Sequence, residues 1–243
     1  MTQTADWFRR QPATQARVRL ICFHHAGGNA QKFLAWNKIL PDWIDACPVH
    51  LPGRGARFME PAHTAMANLV ADLAPALAPL CDRPVALLGH SMGASIAFAV
   101  AHAMTPHPVH LFAVAARPPG SIRPRIMHRA DDAGLLDYLR DLEGTPDLLL
   151  QDAEMQALML PVLRADLTLT ETYNERTPLK DVPITALGGI TDAAVSPDDV
   201  DRWRVLTRAP FRRVMLPGNH FFLQAATADV LHLVTETLAD FAP

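Results

Sequence analysis

The stretch Leu88-Gly89-His90-Ser91-Met92-Gly93-Ala94 limits the possible folds of this chain more than any other. An apolar run at residues 85–88 precedes it, and small and apolar residues follow it over residues 94–102. This order predicts a short buried strand, a sharp turn and a buried helix, with the serine hydroxyl held out at the turn. The residues two positions before and after the serine are glycines, which have no side chain that could collide at the turn. The pattern is typical of a nucleophile elbow, and the alternative is a glycine-rich turn with an incidental serine.

Runs of strand character alternate with segments of helical periodicity along the 243 residues. We predict strands at residues 18–23, 44–50, 85–88, 109–115, 184–187 and 211–216, and helices at 30–39, 63–80, 94–102, 197–207 and 230–241. Such alternation predicts an α/β fold with a mostly parallel sheet covered by helices on both faces. Residues 1–16 are expected to form a loosely held arm.

One interval breaks this alternation. Between residues 117 and 181 the pattern contains no strand and instead favours helices at 132–142, 152–163 and 167–173. A helical insertion before the last two core strands, above the serine, predicts a lid at about residues 118–180. The hydrophobic content of 49% suffices for one core, so we expect a single domain over residues 1–243.

A nucleophilic serine needs a base and an acid that orients the base. In the order typical of an elbow serine, the acid and then the base follow it along the chain. Asp192 comes just after the strand at 184–187, and His220 lies in the loop after the final strand. Other carboxylates compete for the role of Asp192, but we expect them to complement a helix dipole: Asp198, Asp199 and Asp201.

The anionic oxygen of a tetrahedral intermediate needs two N–H donors. The amide of Met92, directly after the serine, is one candidate. The second is expected from the loop after the first strand, where Ala26 precedes two glycines, with Gly27 as the neighbouring candidate.

Composition excludes several classes of function. The formal net charge of −3 does not indicate a nucleic-acid partner, and no apolar run is long enough to cross a membrane. Residues 1–15 are polar, so we expect no signal sequence, and the three cysteines lack metal-site spacing. We expect a cytoplasmic protein without cofactor or metal, since His24 and His25 also lack partners at ligand spacing.

Five motifs together resemble the type II thioesterases, the stand-alone editing enzymes of polyketide and nonribosomal peptide synthases. They span nearly the whole chain and comprise residues 22–28 (CFHHAGG), 51–54 (LPGR), 89–94 (GHSMGA), 160–166 (LPVLRAD) and 217–222 (PGNHFF). The resemblance implies an α/β-hydrolase fold with a flexible lid and hydrolysis of acyl groups from the phosphopantetheine arm of an acyl or peptidyl carrier protein. It assigns nucleophile, acid and base to Ser91, Asp192 and His220.

Substrate and carrier contacts are less constrained. The candidates for substrate binding are His25, Gly27, Met155, Met159 and Phe221. Apolar lid residues could line an acyl channel or only pack the lid onto the core. Several arginines are candidates for contact with an acidic carrier or for a solvated basic face: Arg54, Arg57, Arg117, Arg123, Arg125 and Arg129.

Two other functions stay open at this point. A general serine esterase acting on small free esters or acyl-CoA would use the same three residues. A non-catalytic binding protein of the same fold would need a broken triad, which the sequence does not contain. We expect a monomer that binds its carrier only briefly.

Overall fold

A six-stranded sheet forms the centre of the computed structural model, which describes residues 7–9, 13–122 and 125–243. Its strands are β1 (Val18–Phe23), β2 (Ile44–Pro48), β3 (Val85–His90), β4 (His110–Val114), β5 (Ile184–Gly189) and β6 (Phe211–Leu216). They are arranged in the order β2-β1-β3-β4-β5-β6, and every neighbouring pair is parallel. The predicted fold class is confirmed.

Helices cover both faces of this sheet, and further helices lie in the segment between β4 and β5. They are α1 (Gln31–Leu34), α2 (Met66–Leu77), α3 (Met92–Ala103), α4 (Asp132–Asp141), α5 (Asp147–Gln151), α6 (Ala153–Thr172), α7 (Pro197–Asp201), α8 (Phe222–Ala225) and α9 (Thr227–Thr237). Successive side chains of β3 point to opposite faces: Leu87 belongs to the apolar cluster that includes α2 and α3. Leu88 belongs to the cluster that includes α9. This alternation explains why the strand sequence is apolar throughout.

Several element boundaries differ from the sequence prediction. The predicted helix at 30–39 ends at Leu34 and continues as a 3₁₀ turn, Trp36–Lys38. Similarly, α2 ends two residues after Pro75, which cannot donate a helical hydrogen bond, and a 3₁₀ turn follows it. The two helices predicted at 152–163 and 167–173 are one helix, α6, with Pro161 inside it.

The prediction of a loosely held arm is wrong for Trp7 and Phe8, which are buried. The guanidinium carbon of Arg57 lies 4.2 Å from the centroid of the Trp7 ring, and the Trp7 carbonyl accepts the His50 amide at 2.9 Å. Burial of two aromatic side chains provides the apolar contact that the sequence pattern did not indicate.

The segment between β4 and β5 has a small core of its own. Over its described residues it contains helices and no strand of the sheet, apart from an isolated bridge between Leu179 and Thr207. Seven buried side chains form a third apolar cluster: Met127, Leu135, Leu139, Leu150, Leu160, Leu163 and Leu167. We call residues 125–180 the helical insertion. In the part of the chain that the structure describes, no helix has the length and apolar character required to span a membrane.

Candidate active site

Ser91 lies between β3 and α3 in a strained backbone conformation. Its φ is 55° and its ψ is −115°, values that non-glycine residues seldom adopt. Its amide donates to the Val114 carbonyl of the adjacent strand at 2.7 Å, which fixes the turn against the sheet. The strain presents the hydroxyl beyond the C-terminal edge of the sheet, at the N-terminus of a twelve-residue helix.

The two glycines around Ser91 are required by backbone crowding. A Cβ on Gly89 would lie 2.1 Å from the Gly93 carbonyl oxygen. A Cβ on Gly93 would lie 2.2 Å from the carbonyl oxygen of Phe23 in β1. Because both obstacles are backbone atoms, neither position has room for a side chain, and the motif has the geometry of a nucleophile elbow.

His220 and Asp192 meet at Ser91. The Ser91 hydroxyl oxygen lies 3.0 Å from Nε2 of His220, and Nδ1 of His220 lies 2.8 Å from Oδ2 of Asp192. The other carboxylate oxygen of Asp192 accepts the amides of Ala194 at 2.8 Å and Val195 at 3.1 Å. Both the imidazole and the carboxylate are almost completely buried. The structure therefore brings together the three side chains that the sequence singled out.

The competing carboxylates have other partners. Asp199 forms a reciprocal cap with Ser196 at the start of α7 and accepts Nε of Arg117 at 3.0 Å. These contacts lower the pKa of Asp199 although burial raises it. Asp201 accepts Arg204 at 3.1 Å, and Asp198 is exposed. Asp198 and Asp199 lie in the first turn of α7, as predicted, whereas Asp201 is the last residue of that helix and does not fit the prediction.

Three further histidines surround His220. Nε2 of His90 lies 3.0 Å from the His220 carbonyl oxygen, and the His25 and His90 rings pack 5.1 Å apart. Burial lowers the pKa of His24 to about 3 and lowers those of His25 and His90 well below the usual value. These imidazoles are therefore neutral near pH 7, and His90 donates to the His220 backbone. Among the described residues, no three His, Cys, Asp or Glu side chains are arranged to hold a metal ion.

The two predicted oxyanion donors lie on one cavity together with Ser91. Ala26 and Met92 both line its wall. The Gly27 amide, considered as an alternative to Ala26, donates to Oδ2 of Asp166 at 2.8 Å. Because that hydrogen bond occupies the Gly27 amide, Ala26 is the better candidate of the two.

The cavity has a volume of about 680 Å³ and opens beside Ser91 and His220. Its wall combines apolar and polar groups, the latter including Ser95, Arg117, Tyr138 and Glu171. Hydrogen bonds join the insertion to the core at this wall, where Thr170 donates to the Ser95 hydroxyl at 3.1 Å. The cavity therefore lies between the sheet and the helical insertion.

The residues predicted to contact substrate lie in different parts of the structure. The Phe221 ring packs edge-on against His25 at 5.0 Å and His220 at 5.5 Å, so both predicted residues lie close to His220. None of the five predicted substrate contacts lines the cavity: His25, Gly27, Phe221, Met155 and Met159 are all absent from its wall. The two methionines are also far from it. They lie near the start of α6, whereas Leu167 contacts the cavity about 18 Å further along the helix from Met155.

The arginines predicted to contact a carrier protein differ in their exposure to solvent. The prediction that Arg54 is an exposed contact is wrong, because its guanidinium forms a buried ion pair with Asp166 at 2.5 and 2.8 Å. Arg57 is likewise buried and binds Glu60. Arg125 and Arg129 are exposed, and Arg125 lies 3.3 Å from Asp141. Arg123 lies outside the described residues.

Sequence reasoning missed the contact between Asp166 and the loop after β1. The sequence did mark these three residues, because each belongs to one of the five motifs: Asp166 ends one, Arg54 ends another and Gly27 lies within a third. Their proximity depends on how the insertion folds back over the sheet, which residue spacing alone does not specify.

Comparison with known proteins identifies the family. A family model described as a thioesterase domain matches residues 18–238. The gramicidin S biosynthesis protein GrsT of Aneurinibacillus migulanus is 35% identical over 245 residues, covering 98% of this chain and 96% of its own length.

Two solved structures are similar over almost their full length. The RedJ thioesterase from the prodiginine biosynthetic pathway in Streptomyces coelicolor is 38% identical, with a TM-score of 0.84, covering 97% of this chain and 100% of its own. The type II thioesterase BorB from the borrelidin biosynthetic cluster is 32% identical, with a TM-score of 0.86, covering 98% and 100%. The chain therefore belongs to the thioesterase family, and its predicted resemblance to the type II thioesterases of polyketide and nonribosomal peptide pathways is confirmed.

Proposed function

We propose that this protein hydrolyses acyl groups from the phosphopantetheine arm of acyl or peptidyl carrier proteins and so clears aberrant or stalled chains from a synthase. The observation that carries the proposal is the hydrogen-bonded series Ser91, His220 and Asp192, which opens onto a cavity of about 680 Å³. Relatives from three biosynthetic pathways favour this function over a general esterase.

In the acylation step, the Ser91 hydroxyl oxygen attacks the thioester carbonyl carbon while Nε2 of His220 takes its proton. The negative charge moves to the carbonyl oxygen, which the Met92 and Ala26 amides stabilise. Collapse of the tetrahedral intermediate breaks the carbon–sulfur bond. His220 returns the proton to the departing sulfur, so the arm leaves as a thiol and the acyl group stays on Ser91 as an ester.

In the deacylation step, His220 takes a proton from water, which attacks the ester carbonyl. The second intermediate collapses, the Ser91 oxygen regains a proton from His220, and the free acid leaves. Asp192 does not change protonation state in either step. Its hydrogen bond to Nδ1 keeps Nε2 of His220 unprotonated and directed at the serine.

The helical insertion acts as a lid in this proposal. Its residues line the cavity wall together with the core, so it would exclude water from the acyl-enzyme until deacylation. We also propose that the protein acts as a cytoplasmic monomer.

The test compares one acyl group on three carriers: a phosphopantetheinylated carrier protein, N-acetylcysteamine and p-nitrophenol. We expect kcat/KM to be highest for the carrier protein, since only that substrate contacts the protein surface outside the active site. Arg129→Glu should lower kcat/KM for the carrier protein several-fold at low salt and leave the N-acetylcysteamine value unchanged. A kcat/KM that is highest for the p-nitrophenyl ester, with no effect of Arg129→Glu, would favour the general esterase.

A further inference from the structure

The loop that carries Ala26 depends on contacts from outside itself. Gly27 adopts a left-handed φ of 71°, and Gly28 follows it, so the local backbone has little intrinsic rigidity. Within the loop, the Gly28 amide donates to the His25 carbonyl at 3.0 Å. An oxyanion donor must be fixed in advance if it is to stabilise charge without rearranging. The position of the Ala26 amide therefore needs another constraint.

That constraint comes from helix α6 of the helical insertion. Oδ2 of Asp166 accepts the Gly27 amide at 2.8 Å, and Leu163 lies 3.5 Å from the position that a Cβ on Gly27 would occupy. Both side chains belong to the same face of α6, one turn apart. A hydrogen bond to a carboxylate thus holds the residue directly after Ala26, and Ala26 itself packs against the apolar cluster that contains Leu163.

Asp166 is in turn held by Arg54. The guanidinium donates to both carboxylate oxygens, at 2.5 and 2.8 Å, while its Nε donates to the Pro52 carbonyl at 3.1 Å. The Asp166 side chain is 2% exposed and the Arg54 side chain 10%, so the charges have little contact with solvent. A planar bidentate pair fixes the orientation of the carboxylate as well as its position.

We propose that Asp166 is a positioning residue for the oxyanion hole, and that Arg54 keeps its carboxylate directed at the Gly27 amide. The inference rests on the proposed function, because it assumes that Ala26 donates to the oxyanion. Its consequence is that the lid and the oxyanion hole are coupled. When α6 leaves the core at Asp166, the loop loses its anchor, so the enzyme stabilises the intermediate only while this part of the insertion is closed.

The test uses a double variant that avoids an unpaired buried charge. Arg54→Met with Asp166→Leu replaces the ion pair by apolar side chains of similar size, a change that buried pairs often tolerate. We expect a folded protein whose kcat for an acyl N-acetylcysteamine thioester falls roughly tenfold or more while KM changes less than about threefold. Affinity for phenylboronic acid, whose serine adduct places an oxygen in the oxyanion hole, should fall in parallel with kcat.

A matched control separates this role from general stabilisation of α6. Arg164 belongs to the same helix and binds Asp132 and the carbonyls of His128 and Ala130, away from the loop. Arg164→Met should therefore lower thermal stability without changing the affinity for phenylboronic acid. The single variant Asp166→Asn, which retains an oxygen for the Gly27 amide, should keep more of kcat than Asp166→Leu.

The inference is overturned if the folded double variant keeps kcat and phenylboronic acid affinity within twofold of the wild-type values. It is also overturned if Arg164→Met lowers that affinity as much as the double variant does. Failure of the proposed function would look different, because the wild-type protein itself would then not hydrolyse the thioester.

Discussion

Replacing Asp192 by Asn tests how the site controls the protonation of His220. The carboxylate accepts three hydrogen bonds, one from His220 through Oδ2 and two from backbone amides through Oδ1. An asparagine has only one acceptor oxygen and must direct its NH₂ group at one of these two sites. Facing the NH₂ group to the amides of Ala194 and Val195 leaves two buried donors unpaired, whereas facing it to His220 leaves none once the ring proton moves to Nε2.

Each unpaired donor costs about 1–3 kcal/mol, so the second orientation is preferred by roughly twice that amount. The asparagine NH₂ group then donates to Nδ1 of His220, and the ring proton moves to Nε2. A protonated Nε2 cannot accept the Ser91 proton. We therefore expect kcat to fall by roughly 10³–10⁴-fold, equivalent to about 4–5.5 kcal/mol in activation free energy, with little change in stability.

The assay follows thiol release from an acyl N-acetylcysteamine thioester, with Asp198→Asn as the control. Asp198 is exposed on α7, so its variant should match the wild-type protein. A folded Asp192→Asn variant that keeps more than about one tenth of wild-type kcat would refute the argument. An Asp199→Asn variant that is as inactive as Asp192→Asn would show that the wrong acid was chosen.

Three further predictions concern stability and motion. Gly93→Ala should lower the free energy of unfolding by at least about 3 kcal/mol in urea titration, because its Cβ would meet the Phe23 carbonyl at 2.2 Å. The control is Gly55→Ala, at a left-handed residue with open space around its Cβ position, which should lower the free energy of unfolding less. Equal losses in the two variants would contradict the crowding argument. Hydrogen exchange should be faster in α4 and α5 than in β3, and equal protection would contradict a mobile lid. His24 has a pKa of about 3 when folded and near 6.5 when unfolded, so the free energy of unfolding should fall with decreasing pH between these values, by up to about 1.4 kcal/mol per pH unit. His24→Gln should reduce that slope. An unchanged slope would show that His24 does not contribute.

The sequence predicted the sheet and the side chains that meet at its edge well because strong local patterns specify them. Strands β1 and β6 have the predicted bounds, and the elbow follows from glycines that no other residue could replace. Ser91, Asp192 and His220 each follow a strand of the same parallel sheet. Their meeting at one edge is therefore a consequence of topology.

The helical insertion was predicted less well because its contacts are between residues distant in the chain. The apolar character of Met155 and Met159 did not indicate which end of α6 meets the cavity. Similarly, the charge of Arg54 predicted an exposed contact, whereas Asp166, far along the chain, makes its burial possible. Such pairing depends on tertiary packing, and residue composition does not encode it.

The most direct test of the central claim is the mass of an acylated carrier protein after incubation with this enzyme. The wild-type protein should return the carrier to the mass of its free phosphopantetheine form and release one equivalent of acid. Ser91→Ala, which lacks the attacking oxygen, should leave the acyl group in place. An acyl group that persists with the wild-type protein, or is lost equally fast with Ser91→Ala, would contradict hydrolysis through Ser91.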